Sequence, residues 1–269
     1  MSDNEISDQE FALFQRLIYK IAGISLSDAK KPLLIGRLAR RLRHYNLGSF
    51  AQYYRLVSSG AHPDELQTMV DLLTTNETYF FREPAHFEFL KTTIIPGRHS
   101  AKKFRIWSAA SSSGEEAYSL AMVLAEYLHQ APWEVVASDI STAVLTRARA
   151  GHYSLERNEG IPPDLLKKYC LEGVRKQAGT FLVSGDIRQR VEFCQVNLTL
   201  PVPEKLGIFD VIFLRNVMIY FDMPTKQQVL DHLVPHLGPG GYLIIGHAET
   251  LNGVTHTLQT VRPTIYRRT

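Results

Sequence analysis

The first hundred residues carry apolar side chains at helical spacing, and they contain no alternating pattern of the kind that predicts a strand. In the first segment the apolar positions recur three or four residues apart: Phe11, Phe14, Leu17, Ile18 and Ile21. A Ser-x-x-Glu capping box at Ser7–Glu10 begins this segment, and Gly23 is placed to end it. The pattern therefore predicts a first helix between these two signals.

A second helix is predicted from near Ser27 to about Tyr45, and it has two different faces. Its apolar stripe consists of Leu34, Ile35, Leu38 and Leu42. Its opposite stripe is basic and consists of Arg37, Arg40, Arg41 and His44. Gly48-Ser49 separates this helix from a third, and Gly60 with Pro63 separates the third from a fourth.

After residue 100, strand-like and helix-like segments alternate, which predicts a parallel α/β sheet. The predicted strands cover 104–107, 135–139, 209–214 and 242–245, and two short strands at 257–261 and 264–268 predict a hairpin on the sheet edge. The predicted helices cover 116–129, 141–150 and 225–237, the last ended by the glycines of 238–241. Between 153 and 197 a short helix at 163–168 and strand-like pieces at 169–171, 181–183 and 191–193 predict a small antiparallel insertion.

Composition narrows the class of protein. With 269 residues, 45% hydrophobic and 21% charged, the chain has the make-up of an ordinary globular protein of about two domains. Its two cysteines, Cys170 and Cys194, exclude a disulfide framework and a cysteine-rich zinc site, and we expect both to be free. The ten histidines show no ligand spacing, so we predict no metal.

Targeting signals are not evident in the sequence. The start, MSDNEISDQE, is acidic and polar where a signal peptide needs a basic and then an apolar stretch. Apolar runs such as 120–125 and 217–221 are far shorter than the roughly 18 residues of a membrane span. We therefore expect a cytoplasmic protein, with a monomer as the default state.

The segment from Trp107 to Glu116 combines a strand, a loop of small residues and the start of a helix, an arrangement that lets a ligand approach the backbone. Only Gly114 is a glycine, and the two glutamates at the helix start disfavour a pyrophosphate and favour a cationic or amino-bearing cofactor. Asp139 ends the second strand, where an acid accepts hydrogen bonds from ribose hydroxyls in doubly wound folds. The alternative is a solvated helix start with an ordinary strand-ending aspartate. A ribose, an amine and a positive charge together point to S-adenosylmethionine.

Four stretches of this sequence are similar to a known family: Asn76–Glu83 (NETYFFRE), Trp107–Ser119 (WSAASSSGEEAYS), Ala137–Ile140 (ASDI) and Arg215–Phe221 (RNVMIYF). In these stretches the chain resembles the CheR family of chemotaxis receptor methyltransferases. The first and last stretches together are highly specific, and the resemblance covers nearly the whole chain.

The resemblance implies a fold class and a reaction. The fold is α/β: a Rossmann-like, class I S-adenosylmethionine-dependent methyltransferase domain at 100–269, with an antiparallel β-subdomain inserted at about 165–195. An all-α receptor-recognition domain at 1–75 precedes it, and a linker and helix at 76–99 carry active-site residues. The reaction transfers a methyl group to glutamate side chains of chemoreceptors, giving glutamyl methyl esters and S-adenosylhomocysteine. Cofactor contacts carry over onto Asn76, Thr78, Arg82, Glu116, Asp139, Asn197, Leu198, Leu214 and Arg215, and catalytic roles onto Arg82 and Tyr220.

The implied chemistry suits these residue types. A glutamate carboxylate is already ionised at neutral pH, so the acceptor needs no general base. Arg82 offers a planar set of donors for the carboxylate of the cofactor, of the substrate or of both, or it is a solvated charge. Tyr220 offers a neutral O–H for an acceptor oxygen, or it packs in the core. Asn76 and Thr78 contact the cofactor or cap the helix that begins at Pro84.

The basic stripe of the second helix predicts a partner. No acidic residue lies between Asp28 and Asp64, so Arg37, Arg40 and Arg41 form a positive face. Such a face is solvated, or it binds nucleic acid or an acidic protein. The resemblance favours the helical cytoplasmic domain of a transmembrane chemoreceptor, and we expect the stripe to face the cofactor cleft.

A second partner is implied for the β-subdomain, which in some members of the family pairs with a peptide from the receptor C-terminus. That capacity goes with glycines in a loop that here runs from Glu172 to Gly179. Val174-Arg175 stand where a further glycine is expected, so dependence on the peptide stays open.

Two other functions are less consistent with the sequence. A nucleic-acid methyltransferase typically carries an Asn/Asp-Pro-Pro-aromatic motif where this chain has Arg215–Met218, which argues against that class and against a nucleic-acid partner. A module that binds the cofactor without catalysis is disfavoured because both Arg82 and Tyr220 are present.

Overall fold

The computed structural model describes residues 6–98, 102–129 and 131–269. The first five residues of the predicted helical domain and its predicted junction with the methyltransferase domain at 99–100 lie outside these ranges. Four helices come first: α1 (Asp8–Ala22), α2 (Lys31–His44), α3 (Phe50–Ser58) and α4 (Pro63–Leu73). The short helix α5 (Pro84–Phe89) follows and continues through a π-helical turn, Leu90–Ile94.

Helix α1 begins and ends at the residues that the sequence predicts. The Ser7 hydroxyl accepts a hydrogen bond from the Glu10 amide at 3.2 Å, and the Glu10 carboxylate accepts one from the Ser7 amide at 2.9 Å. Gly23 ends the helix at φ +67°, and a Cβ at this position would lie 2.5 Å from the side chain of Thr225. Glycine is required here for two reasons: the left-handed turn and the close approach of the following domain.

One buried ion pair joins α2 to α4. The Arg41 guanidinium donates to both carboxylate oxygens of Glu65, at 2.8 Å and 2.5 Å, and the Tyr53 and Tyr45 hydroxyls donate to the same carboxylate. Glu65 is only 3% exposed. Burial raises its pKa, but the bonds from Arg41 and Tyr53 outweigh burial and hold the pKa below its ordinary value. The charge of Arg41 is therefore paired with Glu65 inside the N-terminal domain.

We predict that Glu65→Ala lowers the free energy of unfolding by about 3–5 kcal/mol, because it leaves the Arg41 guanidinium and the Tyr53 hydroxyl without their partner. Denaturant unfolding measures the change. The matched control is Asp64→Ala, which removes an exposed carboxylate from the same helix and should cost less than about 1 kcal/mol. Equal losses in the two variants would contradict the role given to the buried pair.

Strands and helices alternate in the rest of the chain. The strands are β1 (Phe104–Ser108), β2 (Trp133–Asp139), β3 (His152–Ser154), β4 (Cys170–Glu172), β5 (Thr180–Val183), β6 (Val191–Gln195), β7 (Phe209–Leu214), β8 (Leu237–Ile245), β9 (Leu258–Arg262) and β10 (Ile265–Arg268). The helices are α6 (Glu115–Leu128), α7 (Thr142–Ala150), α8 (Pro163–Tyr169), α9 (Gly185–Arg188) and α10 (Met223–Leu233). Seven strands form one sheet in the order β6-β2-β1-β7-β8-β10-β9, and three form a separate antiparallel sheet in the order β3-β5-β4.

The predicted fold class is confirmed: a helical N-terminal part precedes a largely parallel sheet with a small antiparallel sheet inserted in it. Strands β6, β2, β1, β7 and β8 run parallel, and the predicted C-terminal hairpin, β9 and β10, forms the sheet edge. Two hydrophobic clusters include residues of this sheet, and a third belongs to the N-terminal helices. In the part of the chain that the structure describes, no helix combines the length and the apolar character that a membrane span requires.

Two details of the sequence prediction were wrong. The strand at Val191 does not belong to the insertion, because it pairs in parallel with β2 as an edge of the large sheet. The inserted sheet instead takes in β3 and so covers 152–183 rather than about 165–195. The periodicity of a short strand shows that it is a strand but does not show which strand it pairs with.

The glycines at 238–241 also differ from their prediction, since they lie within β8 rather than between a helix and a strand. The pairing of β8 with β7 shifts register between Phe209 and Val211. A Cβ at Gly241 would lie 2.9 Å from the carbonyl oxygen of Asp210, so this irregular stretch needs a residue without a side chain.

Candidate active site

A cavity of about 360 Å³ lies at the carboxyl ends of the parallel strands, under the N-terminal helices. Its wall comes from three parts of the chain: the turn between α1 and α2, the segment 73–82 and the loops that follow β1, β2, β6 and β7. Nine of the ten predicted cofactor and catalytic residues line it: Asn76, Thr78, Arg82, Glu116, Asp139, Asn197, Leu198, Arg215 and Tyr220. Ligands of open α/β sheets bind at this edge, so the cavity is the candidate active site.

Asp139 lies at the end of β2, with its carboxylate held by two backbone amides. Oδ2 accepts from the Ser112 amide and Oδ1 from the Ser141 amide, both at 2.9 Å. Burial raises the pKa of this carboxyl, and the amide hydrogen bonds oppose that rise. A carboxylate oxygen accepts more than one hydrogen bond, so Asp139 still has acceptor capacity for hydroxyl groups of a ligand in the cavity.

The loop after β1 brings the segment around Asn76 into the cavity wall. Ser112 has a positive φ of 49°, and its hydroxyl donates to the Asn76 carbonyl oxygen at 2.9 Å. The Asn76 amide donates to Thr74 at 3.0 Å. Helix α5 is preceded by Glu83, and no side chain of the described residues caps it, so the alternative in which Asn76 and Thr78 cap that helix does not hold.

Arg215 forms the buried charged centre of the site. Its guanidinium lies 3.0 Å from a carboxylate oxygen of Glu116 and 3.0 Å from one of Glu83, and it also donates to the Arg82 carbonyl oxygen. The Arg215 side chain is only 1% exposed. The pKa of Glu116 is raised by burial, whereas the pKa of Glu83 is lowered because the charge of Arg215 and the donors of Asn216 outweigh burial. Arg215 is therefore committed to protein carboxylates.

Glu83 was not predicted as a site residue, although it ends the motif stretch that contains Arg82. One carboxylate oxygen accepts from the Asn216 amide at 3.1 Å, and the other accepts from Arg215 and from the His247 backbone amide at 3.1 Å. Its side chain therefore acts on the site through Arg215. Nothing in the local sequence indicates this partner, which is 132 residues away.

Arg82 is another cation of the cavity, and its partners differ from those of Arg215. Its guanidinium donates to the Glu77 carbonyl oxygen at 3.1 Å and lies 5.7 Å from the ring centre of Tyr79. Within the described residues it forms no ion pair with a carboxylate, unlike Arg215. Arg82 is half-buried in the cavity wall and keeps donors for an anionic group of a ligand.

Tyr220 closes the short 3₁₀ turn that follows β7, and its half-buried side chain lines the cavity. Its carbonyl oxygen accepts from the Ser25 amide at 2.9 Å, which ties the turn to the N-terminal domain. None of the residues that the structure describes forms a hydrogen bond with the Tyr220 hydroxyl, so the O–H is available to a ligand at the cavity. Ile219 beside it is 53% exposed at the cavity.

Of the remaining predicted cofactor residues, two line the cavity and one does not. Leu198 lines the cavity, and Asn197 lines it too, but the Asn197 side chain is engaged: it donates to the Ile21 carbonyl oxygen at 2.6 Å and accepts from Thr199. Leu214 does not line the cavity, because its side chain is fully buried at the end of a strand covered on both faces.

The arginines of the predicted basic stripe differ in their contacts and exposure. Arg37 donates to the carbonyl oxygen of Thr74, a residue of the cavity wall, at 2.8 Å. Arg40 is exposed, and Arg41 is held by Glu65. Lys30, another cation of the stretch between Asp28 and Asp64, lines the cavity itself.

A polar cluster lies beside the Arg215 network. Glu83, His86 and His247 bring possible metal-ligand atoms within 4.8 Å of one another. The Glu83 carboxylate, however, already accepts from a guanidinium and two amides, so the cluster is organised around N–H donors. His86 is 2% exposed, and burial together with the charge of Arg215 lowers its pKa from 6.5 to about 4.

We predict that His86 makes the protein less stable in mild acid. The unfolded chain takes up a proton near pH 6.5 and the folded chain only near pH 4, so stability rises with pH across this window. Between pH 5 and pH 7 the contribution is about 2 kcal/mol. Denaturant unfolding at both pH values should therefore show a flatter profile for His86→Gln than for the wild type.

The control for this measurement is His62→Gln, which alters an exposed histidine and should keep the wild-type profile. Parallel profiles for the wild type and His86→Gln would show that the low pKa given to His86 is wrong.

Comparison with known proteins identifies both parts of the chain. The family model "CheR methyltransferase, all-alpha domain" matches residues 9–74, and "CheR methyltransferase, SAM binding domain" matches residues 76–267. The chemotaxis protein methyltransferase of Escherichia coli (strain K12) is 41% identical over 263 residues, which covers 97% of this chain and 91% of that protein. Chemotaxis protein methyltransferase 2 of Pseudomonas aeruginosa is 43% identical over 260 residues, covering 96% and 92%. The chemotaxis protein methyltransferase of Borreliella burgdorferi is 35% identical over 276 residues, covering 98% and 95%.

Proposed function

The chain belongs to the CheR methyltransferase family, and we propose that it transfers the methyl group of S-adenosylmethionine to glutamate side chains of chemotaxis receptors. The observation that carries the proposal is the cavity in which Asp139, Arg82 and Tyr220 meet. It holds an acceptor for hydroxyl groups, together with a cation that pairs with no carboxylate and a hydroxyl that has no hydrogen-bond partner among the described residues.

The residues present fit the cofactor. The carboxylate of Asp139 would accept hydrogen bonds from ribose hydroxyls, since each of its oxygens has spare acceptor capacity beside one backbone amide. The lining of the cavity includes the carboxylates of Glu77, Glu116 and Asp139, which would attract the positive charge of the cofactor. When bound, S-adenosylmethionine supplies a methyl group on a positively charged sulfur.

The chain itself has to position the acceptor rather than activate it. A glutamate carboxylate is ionised at neutral pH and needs no base, so the residues at the cavity orient it and exclude water. We propose that the Tyr220 hydroxyl donates to one oxygen of the acceptor carboxylate, because a neutral donor orients this group without cancelling its charge.

Arg82 is the proposed anchor for a ligand carboxylate at the cavity. Arg215 cannot take this role, because Glu83 and Glu116 already occupy its donors. Arg82 forms no such pair within the described part of the chain, and its planar donors suit a carboxylate of the cofactor or of the substrate glutamate. Measuring S-adenosylhomocysteine affinity and turnover for Arg82→Lys separates these two uses: a loss of affinity assigns Arg82 to the cofactor, and a loss confined to turnover assigns it to the acceptor.

We predict that Tyr220→Phe lowers turnover at least tenfold while S-adenosylhomocysteine affinity changes less than threefold, because only the acceptor loses a hydrogen bond. The assay transfers a labelled methyl group to a receptor cytoplasmic fragment and then applies mild alkali, which releases methanol from a carboxyl methyl ester. The control is Tyr127→Phe, a 48% exposed tyrosine outside the cavity. Undiminished turnover in Tyr220→Phe would assign this residue to packing, and label that resists alkali would overturn the glutamate assignment.

The receptor's helical domain is the proposed partner of two residues of the basic stripe, the half-buried Arg37 and the exposed Arg40. Arg37 contacts the cavity wall through Thr74, and Arg40 is exposed on the same helix. Opposite charge would orient an acidic helical bundle toward the cavity and speed the encounter. Arg41 is left out of this surface, since Glu65 holds it.

We predict that Arg40→Glu raises the Michaelis constant for the receptor fragment several-fold at low salt and weakens its dependence on ionic strength, because the removed interaction is screened by salt. S-adenosylhomocysteine affinity should be unchanged. Lys205→Glu is the matched control: Lys205 is exposed just before β7, at the opposite edge of the sheet from the cavity. Equal Michaelis constants for both variants would leave the stripe a solvated face.

A peptide from the receptor C-terminus is a further proposed ligand, on β4. This strand forms one edge of the three-stranded sheet, and Leu171 on it is 59% exposed. Arg175 has a φ of +54° in the loop position where a glycine was expected, so the loop takes the left-handed conformation without one. Methylation of receptor fragments with and without their last residues tests this proposal, and equal rates would refute it.

A further inference from the structure

The loop that carries Asp139 is held by a residue of the other domain. Asp71 lies on α4 of the N-terminal domain, and its carboxylate faces the start of α7. Oδ1 accepts from the Thr142 amide at 3.0 Å, and Oδ2 accepts from the Thr142 hydroxyl at 3.0 Å and the Ala143 amide at 3.2 Å. These contacts join residues 71 positions apart or more.

The contacts complete the N-terminus of α7. The first four amides of a helix have no partner within it, and all four are satisfied here. The Ser141 amide donates to Asp139, the Thr142 and Ala143 amides donate to Asp71, and the Val144 amide donates to the Ser141 hydroxyl at 3.4 Å. Half of the cap of α7 therefore comes from another domain, and a further part comes from the proposed ribose acceptor itself.

A second residue of α4 holds the same loop. Gln67 lies one turn before Asp71, and its amide donates to the Ile140 carbonyl oxygen at 3.1 Å and to Asp71 at 2.8 Å. The Gln195 amide, from β6, donates to the same carbonyl oxygen at 3.0 Å and to Gln67 at 2.8 Å. Ile140 and Asp139 both line the cavity, so α4 fixes the main chain on which the cofactor would lie.

We infer that Asp71 is a positioning residue for the cofactor: by capping α7 it holds the carboxylate of Asp139 in the cavity, so that affinity for S-adenosylmethionine depends on the docked N-terminal domain. Asp71 itself is not among the described residues that line the cavity. Because such coupling is reciprocal, bound cofactor in turn holds α4 against the methyltransferase domain. The inference rests on the cofactor assignment and not on the receptor.

The test measures S-adenosylhomocysteine binding by calorimetry for Asp71→Ala and Asp71→Asn. Asp71→Ala removes every acceptor, and we expect its dissociation constant to rise about tenfold; Asp71→Asn keeps one amide oxygen and should rise about threefold. Asp64→Asn, which alters an exposed carboxylate of the same helix, should stay within twofold of the wild type. The Michaelis constant for S-adenosylmethionine should rise by the same factors, while turnover at saturating cofactor stays within twofold.

Unligated protein is melted in parallel, so that a loss of affinity is not confused with a loss of folding. Wild-type affinity in a folded Asp71→Ala would overturn the inference. A fall in turnover at saturating cofactor equal to the fall in affinity would also overturn it, because it would mark a general structural role. Should Asp71→Ala not fold, Asp71→Asn carries the test on the same criteria. Binding of S-adenosylhomocysteine needs no receptor, so failure of the receptor assay leaves this result unaffected.

Discussion

The burial of one guanidinium organises the active site. Arg215 lies at the end of a central strand, out of contact with water, and a charge in that place is stable only when it is paired and hydrogen-bonded. Glu116 provides one carboxylate from the first turn of α6, and Glu83 provides the other from the segment that links the domains. The pairing distinguishes the two arginines: Arg215 holds the linker against the sheet, whereas Arg82, on that linker, has no carboxylate partner among the described residues.

Because of the same linker and the turn after α1, residues of both domains form the site. Asn197 donates to the Ile21 carbonyl oxygen, and the Ser25 amide donates to that of Tyr220, so backbone of the N-terminal domain meets loops of the methyltransferase domain at the cavity. With Asp71 capping α7, three of the loops that follow strands are each fastened to the helical domain. Family membership makes the chain an S-adenosylmethionine-dependent methyltransferase, and this fastening is how its cavity acquires a second wall.

Signals in the local sequence were sufficient to predict local structure. They did not reveal contacts between residues that are far apart in the sequence. The Ser7 capping box and the Gly23 turn could be predicted, since each depends on neighbouring residues. Asp139 and Arg82 could be located from motifs and from the rule that ligands bind at the carboxyl ends of parallel strands. The partner of Val191–Gln195 and the use of Glu83 could not, because periodicity and charge are properties of one segment, whereas pairing is a property of two. Arg41 illustrates the same limit: in the sequence it is one more cation in a stripe, and only the fold shows Glu65 beside it.

The boundary between the two family domains falls at Thr75, between a helical match that ends at residue 74 and a methyltransferase match that begins at residue 76. Thr74, Thr75 and Asn76 all belong to the wall of the cavity. The seam between the domains therefore runs through the site rather than beside it. In this chain neither half forms the whole pocket: a methyltransferase domain that began at residue 76 would lack the part of the wall supplied by residues 22–33 and 73–75.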